Sequence, residues 1–368
     1  GGTHYYVATM ISADAEDDAR IRRHIADRAA LGRMLRDEDF ASLAARAYAV
    51  KAEVWGRRVA LRGLVETSNV CARNCLYCGI RRGNAKTARY RMDEDEILAA
   101  VAWAAENRYG SVVLQSGETD DEPSALFFER VLRRIRAELG DSIGITLSLG
   151  ERHRDVYRRW LDAGANRYLL RIETSDPEPF ARIHPAEQSW RTRLECLRTL
   201  RDLGYITGSG VMIGLPGQDV DSLARDIEFL RDEGVDMVGM GPYITHPDTP
   251  LAADAPRLGR EQLLDLSLRM IAAVRLVIPD ANIAATTALQ AIDPEGREKG
   301  LLAGANVVMP NITPRKYRGD YLLYPGKPCT EEDSELCCGC LERRVRSIGE
   351  EIAWGERCDP VHVARRSR

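Results

Sequence analysis

Eight short apolar runs alternate with capped, amphipathic helical patterns along most of this 368-residue chain, and that alternation constrains the fold more than any other feature. The runs are RVALRGLVE (58–66), SVVLQSGE (111–118), IGITLSLG (143–150), RYLLRIET (167–174), GSGVMIGLP (208–216), MVGMGPYI (237–244), ANIAATTAL (281–289) and GANVVMPNI (304–312). Their near-continuous apolar character suits strands of a parallel sheet, which is covered on both faces. Between them lie helix signals. DEDEILAAVAWAAENRYG offers Asp93 as N-cap with Glu96 at the third helical position, then Ile97, Val101 and Ala105 on one stripe, and Gly110 as a stop. DVDSLARDIEFLRDEG sets Leu223, Ile227 and Leu230 on one stripe before Gly234, and SWRTRLECLRTLRDLG ends on Gly204. Eight such units favour a closed barrel over an open sheet. The expected architecture is α/β: a helical N-terminal segment over 1–56, a (β/α)8 TIM-type barrel over 57–326, and a cysteine-containing tail over 327–368.

Composition narrows the function classes. Apolar residues make up 44% and charged residues 29%, enough for a sizeable core. The formal net charge of −4 provides no basic field for nucleic acid or an anionic membrane. No apolar run reaches the ~18 residues of a spanning helix, and the first residues lack the apolar core of a secretory signal. A cytoplasmic setting is the expectation.

The nine cysteines are unevenly placed. Cys71, Cys75 and Cys78 follow the first strand run as C-x3-C-x2-C, Cys329, Cys337, Cys338 and Cys340 crowd the tail, and Cys196 and Cys358 stand apart. A disulfide framework is unexpected in so long a chain, because such frameworks mostly staple small domains. Thiolates select zinc, Cu(I) or iron–sulfur clusters. Structural zinc wants four protein ligands, which here would require a distant one such as Cys196. Three thiolates on a [4Fe–4S] cube leave one iron open to an outside ligand.

Polar residues mark the ends of the strand runs, where barrels of this type carry their chemistry: Ser116 and Glu118, Thr146 and Ser148, Arg171 and Glu173, Thr286 and Thr287, and Asn311. Buried polar groups need partners, and a ligand is one way to supply them. His184 and His246 sit beside prolines, which favours turn roles.

C-x3-C-x2-C after a first barrel strand, with Tyr77 just before the last cysteine, resembles the radical S-adenosylmethionine (SAM) superfamily. SNVCARNCLYCGIRRGN, VLQSGE, TLSLGE, RYLLRIETSDP, GLPGQ, MVGMGPYITHPDTPL, ATTAL, GANVVMPN and YPGK, in this order, resemble more narrowly the HydE family of FeFe-hydrogenase maturases, in the biotin synthase and methylornithine synthase branch. That resemblance implies an oxygen-sensitive enzyme whose [4Fe–4S] cluster, on Cys71, Cys75 and Cys78, cleaves SAM to a 5′-deoxyadenosyl radical. It implies SAM contacts from Tyr77, Ser116, Gly117, Glu118, Glu173 and Arg193, with the arginine forking onto the SAM carboxylate. Thr146, Arg171, Thr286, Thr287 and Tyr321 would line the substrate pocket, with Tyr324 helping to close it. The implied substrate is small or organometallic, an iron-bound cysteine complex on the way to the bridging dithiolate. The implied partners are a flavodoxin- or ferredoxin-type one-electron donor and other hydrogenase maturases.

Some relatives carry an accessory iron–sulfur cluster at C-x7-C-x2-C, which maps to Cys329, Cys337 and Cys340; a four-thiolate zinc site competes. Alternative functions are a radical SAM mutase acting on an amino acid, such as a methylornithine synthase, a biotin synthase-like enzyme, and a non-enzymatic iron–sulfur scaffold or electron carrier.

Overall fold

The computed structural model describes residues 27–254 and 258–363, without the side chains of 335–337. The part of the expected N-terminal segment before residue 27 lies outside these residues. Eleven named strands run in chain order: β1 (Arg58–Ser68), β2 (Ser111–Ser116), β3 (Gly144–Ser148), β4 (Arg167–Leu169), β5 (Ile206–Ser209), β6 (Met212–Ile213), β7 (Met237–Val238), β8 (Gly241–Pro242), β9 (Asn282–Ile283), β10 (Val307–Val308) and β11 (Glu351–Ile352). Eight of them pair in parallel in the order β10-β1-β2-β3-β4-β5-β7-β9. The ring closes between β9 and β10 through the Ala284↔Val307 bridge, with Asn306 N donating to Ile283 O at 2.9 Å and Ala285 N to Val307 O at 2.8 Å.

Each barrel strand falls on or beside one of the eight apolar runs, but the fifth and sixth runs each split. Their second halves, β6 and β8, leave the ring and pair with each other as a separate two-stranded sheet. Glycines allow the split: a Cβ at Gly210 would stand 2.0 Å from Gly239 O. The fourth run also stops short, because its ladder ends at Leu169 and resumes only as a single bridge, Glu173↔Val211.

The helices form as their caps dictate. Glu94–Glu106 begins at Asp93 with a reciprocal capping box to Glu96, and buries Ile97, Leu98, Val101 and Ala104. It ends at Asn107, three residues before the expected glycine stop, as Arg108 turns left-handed (φ 58°). Helix Trp190–Asp202 buries Leu194, Cys196, Leu197 and Leu200 against the sheet, along with Arg193.

The tail closes one end of the barrel. Glu351 and Ile352 pair with Arg58 and Val59 at the start of β1. Arg167, at the start of β4, donates from Nε to Asp359 Oδ1 at 2.8 Å and from Nη2 to Arg357 O at 2.9 Å. Asn282 on β9 donates to Cys358 O at 2.9 Å, and His362 meets Asp236 and Asp280 at 2.6 Å each. All these contacts lie at the N-terminal ends of the strands, so the C-terminal ends, where the cysteine loop leaves β1, form the other mouth.

Candidate active site

Backbone and side-chain hydrogen bonds shape the cysteine loop. Arg89 donates from Nη1 to Asn69 O (2.6 Å) and Ile80 O (2.7 Å), and from Nη2 to Arg81 O (2.6 Å). One cation of the basic cluster after the cysteines is therefore spent on loop carbonyls. Ala72 N donates to Glu118 O at 2.6 Å, and Leu76 N to Ile183 O at 2.9 Å. Gly117 lets the end of β2 approach this loop: a Cβ there would meet Val70 O at 2.4 Å and Cys71 Cβ at 2.9 Å. Ser116 turns its hydroxyl to Gly117 O at 2.6 Å.

Cys71, Cys75 and Cys78 are half-buried free thiols. Burial pushes all three up, Cys78 to about 12, and the neighbouring thiols add to the effect on Cys75 and Cys78. Cys75 Sγ lies 3.2 Å from Gln188 Oε1.

Beside the loop is a buried charge cluster. Arg193 directs Nε to Glu151 Oε1 at 2.5 Å and Nη1 to Arg171 O at 2.8 Å, and Nη2 lies 3.6 Å from Glu118 Oε2. Burial opposes its charge, but Glu118 and Glu151 outweigh that and hold it above the usual arginine range. In this structure all three of its nitrogens face protein acceptors. Arg73 Nε also donates to Glu118 Oε1 at 2.6 Å.

Glu173 is a non-glycine residue in the left-handed region (φ 65°) and is buried. Its Oε2 stands 3.0 Å from Arg171 Nη2, yet neither Glu173 Oε2 nor Arg171 Nε completes a hydrogen bond within the described residues. Tyr77 OH lies 3.5 Å from both Glu173 Oε1 and His184 Nε2. His184 is stacked on Phe180 with its Nδ1 2.9 Å from Phe180 O; burial first, then Arg193, holds it down at about 3, so it is neutral. His246 accepts from Asp248 N at 3.1 Å, a turn contact.

The residues assigned to substrate lie at two depths. Thr146 is buried in the barrel interior, its Oγ1 without a hydrogen-bond partner in the described residues, beside a cavity of about 20 Å³ lined also by Arg62, Met237 and Asn282. Nearer the mouth, Thr286 Oγ1 donates to Met240 O at 3.3 Å, and Thr287 lies beside the Tyr324 phenol. Tyr321 is buried, and its hydroxyl accepts from Gln115 Nε2 at 3.1 Å.

Several known proteins are similar to this chain. Residues 65–230 match the Radical SAM superfamily. HydE of Thermotoga maritima, described as an [FeFe] hydrogenase maturase subunit, is 45% identical over 82% of this chain and 84% of its own length. This chain belongs to the HydE family of radical SAM enzymes. A 3-methylornithine synthase from Methanosarcina acetivorans is more distant, at 27% identity over 83% of both chains. A crystal structure of methylornithine synthase has the same fold, with a TM-score of 0.74 at 24% identity over 89% of this chain and 94% of that one.

Radical SAM enzymes use a [4Fe–4S] cluster and SAM, and the donor set here fits that pair. Three soft thiols share one loop, each within electrostatic reach of another. A cube offers a separate iron to each thiol. Cys196, the conceivable fourth zinc ligand, is buried with its Sγ 3.8 Å from Arg152 O. The Glu173 carboxylate oxygen that meets Arg171 without completing a hydrogen bond suits a ligand bearing hydroxyl or ammonium donors.

In the tail, Cys329, Cys338 and Cys340 are half-buried thiols. The side chain of Cys337, the remaining expected accessory ligand, lies outside the described residues. Cys358 lies at the closed end of the barrel, with its carbonyl on Asn282.

Sequence reasoning missed three members of this HydE-family site. Glu151 lay inside the quoted motif TLSLGE, yet nothing local marks it as the anchor of a guanidinium forty-two residues on. Gln188 reads as an ordinary loop polar residue. Arg62 sits in an otherwise apolar strand run, and its burial at an unpartnered Nε and Nη2 was the available signal.

Proposed function

We propose that this chain acts in FeFe-hydrogenase maturation, using the SAM-derived radical on a small, carboxylate-bearing organometallic substrate, an iron-bound cysteine complex, to prepare the bridging dithiolate. The reading is carried by three thiols on one loop beside a buried carboxylate with one oxygen outside any hydrogen bond among the described residues, in a chain 45% identical to a HydE. Cys71, Cys75 and Cys78 would hold the cluster, which when bound would supply the one electron for reductive cleavage of SAM.

Around it, the protein's work is binding and orientation. Glu173, whose Oε2 meets Arg171 without completing a hydrogen bond, receives SAM donors, and Tyr77, Ser116, Gly117 and Glu118 complete that side. Arg193 holds Glu118, Glu151 and the Arg171 carbonyl in register. Arg171, Thr146, Thr286, Thr287 and Tyr321 receive the substrate, with Arg171 meeting its carboxylate. Cys329, Cys337 and Cys340 hold a second, accessory iron–sulfur cluster. The enzyme works in the cytoplasm with a flavodoxin- or ferredoxin-type donor and the other maturases. No helix among the described residues is long and apolar enough to cross a membrane.

The test has two arms. Wild-type protein with dithionite and SAM should yield 5′-deoxyadenosine, and Cys71→Ala, Cys75→Ala and Cys78→Ala should each abolish it. Added with the other maturases to apo-hydrogenase, wild type should activate hydrogen evolution. SAM cleavage without any activation would move the chain to another radical SAM reaction, such as the carbon-skeleton rearrangement of methylornithine synthase.

A further inference from the structure

A segment without regular secondary structure, 321–327, lies against the cysteine loop and the end of β2. Its position is set by a few anchors. Asn69 Nδ2 donates to Asp320 O at 2.6 Å, and Gly79 N, one residue after Cys78, donates to Leu323 O at 3.0 Å. Gly79 tolerates no side chain there, because a Cβ would meet Leu322 O at 2.1 Å. The far anchor is Lys327. Its Nζ pairs with Glu66 Oε1, donates to Tyr321 O at 3.0 Å and lies 5.2 Å from the Tyr321 ring centroid.

Glu66 is itself held from several directions. Asn311 Nδ2 donates to its Oε2 at 2.9 Å, its backbone N donates to Thr313 Oγ1 at 2.9 Å, and Tyr90 OH donates to its carbonyl at 2.7 Å. Both partners of the ion pair are buried, with side chains 5% and 2% exposed. Such a pair is a poor device for stability, since desolvation offsets most of its attraction; what it can supply is a defined geometry. The geometry defined here is that of two tyrosines. Tyr321 reaches Gln115 on β2, one residue before Ser116, and Tyr324 reaches Thr287.

We propose that Lys327 and Glu66 are positioning residues whose buried ion pair fixes the 321–327 strap, and so Tyr321 and Tyr324, over the substrate, coupling SAM cleavage to substrate turnover. The proposal rests on the functional reading above for what the tyrosines face, but the placement of the strap can be tested without it.

Lys327→Met removes the anchor and keeps most of the volume. In the folded variant, amide hydrogen exchange across 320–327 should quicken at least tenfold, 5′-deoxyadenosine formation with dithionite and SAM should stay within about twofold of wild type, a shift of only ~0.4 kcal/mol, and hydrogenase activation per 5′-deoxyadenosine should fall tenfold or more. Lys327→Arg, which retains charge and donors, should recover much of that coupling. The double variant Glu66→Gln/Lys327→Met removes the unpaired buried charge, so it should regain thermal stability without regaining coupling.

Unchanged exchange in Lys327→Met would overturn the proposal whatever the substrate. Wild-type coupling in that variant, or recovery of coupling together with stability in the double variant, would reduce the pair to a structural role and overturn it too. Loss of SAM cleavage in a folded variant would place Lys327 on the cofactor side, against the proposal. Failure of wild type to activate hydrogenase would sink the functional reading alone and leave the exchange experiment standing.

Discussion

Glu173 holds a left-handed backbone that most side chains avoid, a strain of about 1–3 kcal/mol that the surrounding contacts must overcome. The ladder of the fourth strand has already ended at Leu169, and at Glu173 the chain makes a single bridge to Val211, with Oε1 3.5 Å from Tyr77 OH and Oε2 facing Arg171 without a completed hydrogen bond. Simple alternation along a strand would put Arg171 and Glu173 on one face. They do meet, at 3.0 Å, but with Arg171 about a third exposed. Arg171 is thus not the isolated interior cation that alternation alone suggests: its Nη2 donates to Val211 O at 3.0 Å, while its Nε has no hydrogen-bond partner among the described residues. Arg171→Lys keeps the charge and loses the fork. The expected result is SAM cleavage within twofold of wild type and hydrogenase activation reduced tenfold or more, about 1.4 kcal/mol of substrate recognition. Weaker SAM binding with undiminished activation would reverse the roles given to Arg171 and Glu173.

Between elements, close approach does the positioning. The end of β2 touches the cysteine loop only because Gly117 has no side chain. Gly117→Ala forces backbone against backbone at 2.4 Å, an overpacking cost of about 1–3 kcal/mol, and should push the loop out of register. Iron per chain should fall by half or more while circular dichroism stays native; full iron loading would show that the loop adapts.

Helix Val220–Asp232 docks beside Glu173 through Asp226, which accepts from Ser175 N at 2.7 Å while its Oδ2 stays unpartnered. Burial pushes this carboxyl up to about 7 despite the Ser175 hydrogen bonds. Because its folded value lies above the unfolded 3.8, the native state holds the proton more tightly, and this site's stability contribution is lost as pH rises from about 4 to 7. Asp226→Asn mimics the protonated form, so its advantage over wild type in urea unfolding should widen across that window, by on the order of 1 kcal/mol per pH unit, and level off above it. A difference independent of pH would mean that Asp226 is ionised throughout.

For the whole molecule, the tail decides which end of the barrel is open. Arg167 is fully buried and its charge is met by Asp359, a side chain 31% exposed. Asp359→Asn should cost about 1–3 kcal/mol in urea unfolding, less than a fully buried pair because water reaches the carboxylate and Arg357 O remains bonded. SAM cleavage at temperatures where the variant is folded should be unchanged, since the contact sits at the end of the barrel away from the cysteine loop. A variant as stable as wild type but impaired in cleavage would show that the two ends of the barrel communicate.

Much of this protein was determined by local sequence signals. Eight apolar runs, the capping box at Asp93 and Glu96, and one short cysteine motif suffice for the barrel and for the thiols of its cluster, because strand burial, helix capping and soft-ligand spacing are all encoded within a few residues. Ring closure decided the rest. Arg193 reads locally as part of a charged helix face and becomes the centre of a buried cluster only when β3, β4 and its own helix converge, bringing Glu151 to 2.5 Å. Lys327 and Glu66 are 261 residues apart, and Arg167 and Asp359 are 192. No periodicity links such residues. They are paired by a closed sheet whose first strand is flanked by its last and whose floor is laid by the tail, so these contacts were legible only in three dimensions.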